Sequence, residues 1–158
     1  MRTKYQTGIL VGMQSRLYSL ALVAVQFAML GALAATGPWL ARNPIGLAVQ
    51  LLGGGIGVWA GAAMRLDNLN ITPEVKHDAR LVHQGPYRWV RHPMYLALLL
   101  VTLPLVITAF SKWRLMFWLI LLVDLLIKLR YEERLLVQKF PAYAIYQAQR
   151  KRLIPFVY

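Results

Sequence analysis

The chain has 158 residues, of which 58% are hydrophobic and only 15% charged, and its mean hydropathy is +0.48; a water-soluble domain is nearer about half apolar and about a quarter charged. Its 18 Lys and Arg against 6 Asp and Glu give a formal charge of +12, an excess that suits nucleic acid, an anionic membrane surface or acidic small molecules. The absence of Cys excludes disulfides, thiolate metal ligands and a Cys nucleophile, and His77, His83 and His92 lack the spacing of a metal site.

Two long stretches without charge come first, 17–41 and 43–64. Each exceeds the roughly 20 residues a helix needs to cross a hydrocarbon core. Ala32, Leu33 and Ala34 resemble a signal cleavage site, but the run is longer than a signal peptide's apolar region, so a retained span is expected. The second stretch carries Gly53, Gly57 and Gly61 at four-residue spacing, a nearly bare helix face against which another helix can pack.

A polar stretch, 65–92, follows, and then a third span, 93–111. The fourth, 113–130, is shorter in its apolar part and contains Asp124; Arg114, Lys128 and Arg130 are expected to snorkel outward from it. Ser111 and Lys112 leave little room between these two spans, which predicts an antiparallel C-terminal hairpin. The fold expected is an all-α integral-membrane helical bundle of about four transmembrane helices, one membrane domain over 1–158, with a tail, 131–158, at the interface.

Basic residues set the orientation. Arg2, Lys4 and Arg16, then Arg65, Lys76, Arg80, Arg88 and Arg91, then Lys128, Arg130, Arg134, Lys139, Arg150, Lys151 and Arg152 all fall on one side, leaving Arg42, Lys112 and Arg114 on the other. Both termini are therefore expected in the cytoplasm, and the charge is a membrane signal, with no nucleic-acid partner needed to account for it.

The polar stretch ends in Gly85, Pro86, Tyr87, Arg88, Trp89, Val90, Arg91, His92, Pro93, Met94 and Tyr95. Gly85 and Pro86 form turns, and Pro93 suits the first turn of a helix. Arg91 and His92 then sit at a helix start, whose free N–H groups make a socket for a carboxylate or phosphate. Tyr87, Trp89 and Tyr95 add aromatic faces, which an ordinary interfacial belt would also contain. At the cytoplasmic end of the fourth span, Asp124, Lys128 and Glu132 recur every fourth residue and share a helix face, with Glu133 beside them. A charge such as Asp124 within a span is costly and is by default a functional hypothesis, although a self-neutralising Asp124 to Lys128 pair would also account for it.

The ordered set of Leu81, Val82, Gly85, Pro86, Tyr87, Arg91, His92, Pro93 and Tyr95, then Glu132 and Glu133, then Phe140, Tyr143, Tyr146, Ile154 and Pro155 resembles the isoprenylcysteine carboxyl methyltransferase family and the related phospholipid N-methyltransferases. The resemblance covers about residues 79–156. It implies an S-adenosylmethionine-dependent methyltransferase acting at the cytoplasmic face on a lipophilic or prenyl-like small acceptor from the membrane lipid phase, with carboxyl O-methylation among the reactions. It also implies that the polar loop 65–92 and the paired acids build the cofactor site, with Leu81, Val82, Tyr87, His92, Pro93, Met94, Tyr95 and Glu132 as contacts. Lys128 falls where the family has a substrate-facing Arg, and is placed with Arg91 and Glu133 as supporting the reaction. Ala97 stands where the pattern has Gly. The N-terminal half is shorter than in the eukaryotic enzymes, which argues against isoprenylcysteine itself as the substrate; the expected location is a prokaryotic inner membrane. Two alternatives stay open: a membrane NADPH-dependent enzyme like the sterol reductases, and a non-catalytic helical subunit assembling through the glycine face.

Overall fold

The computed structural model describes residues 2–64 and 81–154, with side chains from residue 15 onward. Expectations that fall on Arg65, Lys76, His77 and Arg80 and on Pro155, and on the side chains of Arg2 and Lys4, lie outside these residues. Among the described residues the chain is all helical: α1 (Arg2–Ala35), α2 (Pro44–Met64), a single 3-10 turn (Gly85–Arg88), α3 (Pro93–Thr108), α4 (Lys112–Lys139) and α5 (Tyr143–Gln149). One parallel bridge, Val90 to Lys151, is the sole strand-like pairing among them.

The helix ends have local causes. α1 begins well before residue 17 and stops at Ala35 rather than reaching residue 41. Gly37 and Pro38 follow, and Thr36 Oγ1 and Trp39 Nε1 turn back onto the Ala32 and Ala34 carbonyls at 2.6 and 3.0 Å. Asn43 Oδ1 caps α2 by accepting from the Gly46 N–H at 2.6 Å, and Pro44 occupies the first helical position, where no N–H is needed. Ser111 caps α4 through the Arg114 N–H at 3.2 Å. α4 then runs unbroken past residue 130 to Lys139, because nothing before Pro141 interrupts its helical sequence.

Ser15–Ala35 within α1 and Pro44–Met64 are long and apolar enough to cross a membrane, and Pro93–Thr108 is a shorter apolar helix. In either long segment only 22% of the window is buried, whereas the core helix of a soluble protein would be mostly hidden. The outward faces carry Leu17, Phe27, Ile45, Leu51 and Val58, all exposed, and apolar surface on this scale marks contact with lipid or another chain.

Residues 109–111 alone separate α3 from α4, yet α3 packs mainly on α2 and α4 mainly on α1. Leu33, Leu99, Val106, Leu121, Leu125, Leu129 and Leu153 form the buried core where α1, α3, α4 and the C-terminal segment meet. Helices this apolar gain little by hiding side chains from lipid, so close backbone approach and interhelical hydrogen bonds carry their association. Gly53 supplies the approach: a Cβ there would lie 2.8 Å from Leu100 Cβ, 3.0 Å from the Val101 nitrogen and 3.1 Å from the Ala97 carbonyl. Gly57 faces Ala97 at 3.3 Å, while a Cβ at Gly61 would meet nothing within 4 Å. Gly53→Val is therefore expected to cost about 1–3 kcal/mol through overpacking and Gly61→Ala nothing measurable, read as thermal unfolding in detergent followed by Trp fluorescence.

Charge is handled differently from expectation at the α3 to α4 turn. Arg114 does not snorkel; it is 2% exposed. Its Nη1 donates to the Leu33 carbonyl at 2.9 Å and to Thr36 Oγ1 at 3.0 Å, and its Nη2 donates to the Leu105 carbonyl at 2.9 Å. The guanidinium thereby caps the C-terminal ends of both α1 and α3, where the helix dipole favours a cation and the Leu105 carbonyl otherwise meets only the Ala109 N–H at 3.3 Å. Gly37 leaves room for it; a Cβ there would run into the guanidinium.

Candidate functional site

The opposite end of the bundle gathers the residues singled out above. Gly85 takes φ +60°, a left-handed conformation open to glycine at little cost, and its bare α-carbon fits against Trp59 and Ala63 of α2. Pro86 starts the 3-10 turn, which presents Tyr87 inward. The chain then runs beside the C-terminal segment: the Arg91 and His92 N–H groups donate to the Lys151 and Arg152 carbonyls at 2.9 and 3.0 Å. Pro93 opens α3 directly afterward, so the direction of that helix and the position of the tail are set together.

Glu133 is the centre of this end. Its Oε1 accepts from Arg91 Nε at 2.7 Å and lies 3.3 Å from His92 Nε2; its Oε2 accepts from Gln147 Nε2 and Arg152 Nε, both at 3.2 Å. Arg91 is further engaged through Nη1, which donates to the Gln147 and Arg150 carbonyls at 2.5 and 2.7 Å. Arg91, His92 and Glu133 are all buried. Arg91 thus spends its Nε and Nη1 on Glu133 and the tail, not on an outside anion. Burial opposes ionisation of Glu133, but the His92 hydrogen bond and the His92, Arg91 and Arg152 charges outweigh it and hold the carboxyl below its ordinary 4.5.

Glu132, one residue earlier, faces a different group. Tyr95 Oη donates to its Oε2 at 2.9 Å, and His92 Nδ1 lies 3.7 Å from the same oxygen. The His92 and Tyr95 rings stack at 5.4 Å with planes only 4° apart. His92 therefore touches both acids, one through each ring nitrogen. The Tyr87 hydroxyl is buried and has no partner. Burial pushes it far above the usual phenol range, with the Glu132 and Tyr146 charges adding to the effect. Tyr146, pushed up to about 12 chiefly by burial, remains a donor and fixes the Tyr87 carbonyl at 2.6 Å.

Lys128 lies one turn before Glu132, 3% exposed, with Nζ 5.8 Å from the Tyr95 ring centroid. Pro93 is buried, and Leu81, Val82 and Met94 are half-buried. The helix start at 91–95 and the acidic end of α4 are thus joined by direct side-chain contacts. The contacts of Leu81, Val82 and Met94 with this cluster are not among those that hold it together.

Three participants were missed on the sequence. Gln26 of α1 accepts from Lys128 Nζ at 2.7 Å; its signal was a side-chain amide in the middle of the charge-free run 17–41. Gln147 and Arg152 had no signal beyond their place in a basic tail. An open depression of about 390 Å³ beside the cluster is lined by Arg91 and residues 147–152.

The residues present suit S-adenosylmethionine. An unpartnered buried hydroxyl on Tyr87, the Glu132 carboxylate and the stacked His92 and Tyr95 rings together offer a donor, an anion and aromatic faces to a group that carries an amino acid, a base and a sulfonium cation.

A family model described as phospholipid methyltransferase matches residues 41–143. Among solved structures, the chain is similar to the eukaryotic intramembrane Ras methyltransferase, isoprenylcysteine carboxyl methyltransferase, at 25% identity and a TM-score of 0.53; the match covers 92% of this chain and 52% of that one. The chain thus spans about half the length of the structure it matches. No curated protein sequence matches it significantly.

Proposed function

Because the chain belongs to the phospholipid methyltransferase family, we propose that it is an integral-membrane S-adenosylmethionine-dependent methyltransferase that modifies a lipophilic acceptor at the cytoplasmic face. The observation that carries this reading is the joining of α3's first turn to the acidic end of α4, through Tyr95 and Glu132, beside the unpartnered Tyr87 hydroxyl. On this reading the chain crosses the membrane four times, over 17–41, 43–64, 93–111 and 113–130, with both termini on the basic side, and the cluster lies where a water-soluble cofactor and a membrane-borne acceptor meet.

Leu81, Val82, Tyr87, His92, Pro93, Met94, Tyr95 and Glu132 would hold the cofactor, which supplies a methyl already activated by its positive sulfur. The protein's task is then chiefly orientation and exclusion of water. Glu132 offers an anion to the cofactor's cationic groups, and Tyr95, stacked on His92, keeps Glu132 turned toward the site. Arg91 and Glu133 act as positioning residues: they bind the tail to α4 and so fix His92. Lys128 faces the acceptor side with a point charge instead of the planar fork that an Arg would offer a carboxylate. An acceptor that must lose a proton can pass it to His92 or to an acid of α4.

Equilibrium binding of labelled S-adenosylmethionine to the detergent-solubilised protein, in competition with NADPH, tests the reading. Binding of the methyl donor and not of NADPH is expected. Tyr95→Phe and Glu132→Gln are each expected to weaken it about 10- to 100-fold, the worth of a hydrogen bond to a charged group. Unchanged affinity in both variants would refute the cofactor assignment.

A further inference from the structure

α4 carries a third carboxylate, which the cluster around Glu132 and Glu133 leaves unused. Asp124 stands two turns before Glu132, about 12 Å deeper along the helix at 1.5 Å per residue, and on the same general face, with Lys128 between them. It is only 4% exposed, and its Oδ2 has no hydrogen-bond partner. A pair with Lys128 would have been the simplest account of both charges. The structure gives a looser arrangement: Lys128 attracts Asp124 electrostatically, but its ammonium donates to Gln26 of α1 at 2.7 Å and lies over the Tyr95 ring at 5.8 Å, and Oδ2 of Asp124 is left without a hydrogen bond. A buried carboxyl oxygen with nothing to accept from is expensive in any protein interior, and more so at membrane depth. Asp124 also interacts electrostatically with Tyr95, so it belongs to the membrane side of the same site and not to a separate one.

Resting on the methyltransferase reading, we propose that Asp124 is the specificity-determining residue for the methyl acceptor, and that it accepts a hydrogen bond from a lipophilic molecule whose head bears a proton, an amine or a hydroxyl. One helical turn, about 6 Å, separates the levels of Lys128 and Asp124. Gln26 takes the Lys128 ammonium at 2.7 Å, so the donor that Oδ2 of Asp124 lacks is left for the acceptor to supply. A bare carboxylate would meet the unpartnered Oδ2 with like charge and no proton to share. The subsite thus discriminates by what it leaves unpaired: a head without a donor leaves the buried oxygen unsatisfied, and such mismatches reject a ligand far more strongly than a missing methylene does.

The probes are decylamine, decanol and decanoate, which share one tail and differ in the head. Their binding to the protein in phosphatidylcholine nanodiscs is read from intrinsic Trp fluorescence, in the wild type and in Asp124→Asn, whose shape is unchanged. Labelled S-adenosylmethionine binding and the unfolding temperature are measured on the same samples. The wild type is expected to bind decylamine or decanol at least tenfold tighter than decanoate. D124N is expected to lose at least tenfold for the preferred probe while cofactor affinity stays within twofold. Its unfolding temperature is expected to change little, because the unpartnered Oδ2 gives up no hydrogen bond and the attraction to Lys128 that is lost is offset by the relief of burying a charge; an Asp124 held for structure alone would lower it markedly. Decanoate binding as well as the others, no probe binding at all, or equal binding by D124N would overturn the proposal. Failure of the wild type to bind S-adenosylmethionine would overturn the underlying function instead, and it is visible in its own measurement.

Discussion

Glu133→Ala is expected to destabilise the detergent-solubilised protein by about 3–5 kcal/mol, the usual cost of removing one partner from a buried ion pair, and to lower its unfolding temperature by on the order of 10 °C. The carboxylate is met by Arg91, His92, Gln147 and Arg152. Its loss strands a guanidinium that is itself almost fully buried, with side-chain exposures of 5% for Arg91 and 4% for Glu133. His92 then loses the contact that aligns its ring on Tyr95, so cofactor affinity is expected to fall with stability. Glu133→Gln keeps the shape and can still accept at one oxygen, and is expected to cost roughly half as much. A change in unfolding temperature within about 1 °C for the Ala variant would sink this account.

The same group sets a pH dependence. The Glu133 carboxyl is held below its ordinary 4.5 in the folded protein. A depressed carboxyl contributes stability that is complete above its unfolded value and is lost as pH falls through the still lower folded value. The Glu133 contribution to the unfolding temperature is therefore expected to be full and unchanging between pH 7 and pH 5 and to be lost as pH falls below the ordinary carboxylate range, with that drop shallower in E133Q.

Replacing Arg114 with Leu is the second large effect expected, about 3 kcal/mol or more. Three N–H donations end: the Leu33 carbonyl at the end of α1 loses its side-chain partner, and the Leu105 carbonyl at the end of α3 keeps only the Ala109 N–H at 3.3 Å; a buried polar group left stranded costs about 1–3 kcal/mol. Arg114→Lys is not expected to rescue, since a single ammonium cannot reach the ends of two helices as the fork does. Arg114 and Glu132 are 18 positions apart on one helix, about 27 Å. Cofactor affinity is therefore expected to survive in R114L, and the R114L and E133A effects to add within about 0.5 kcal/mol. A strongly non-additive double variant would mean that the two ends of the bundle are coupled.

Local chemistry made part of this molecule legible in its sequence. Residues 91–95 and the acidic pair stand out because a Pro-started helix and an i, i+4 charge row each leave the chain few conformations to choose from, and their meeting through Tyr95 and Glu132 matches the resemblance that pointed to it. Long-range partners were not legible. Nothing local to Gln147 or Arg152 marks them as donors to Glu133, since a solvated basic tail has the same composition. Arg114 departs from expectation for a physical reason: a charged residue at the end of a short apolar helix ordinarily reaches for water, and here two helix C-termini compete for it and win. The continuation of α4 to Lys139 was hidden because the end of apolar sequence is not the end of a helix.

The lock on Glu133 has a consequence for how the protein is made. Two of its four partners, Gln147 and Arg152, together with the carbonyls that engage the Arg91 and His92 amides, follow α4 in the chain and so are synthesised after all four long helices. A chain extended only through α4 still lacks the contacts that orient His92, so a competent mouth forms only once residues 147–152 have folded back onto the helix ends.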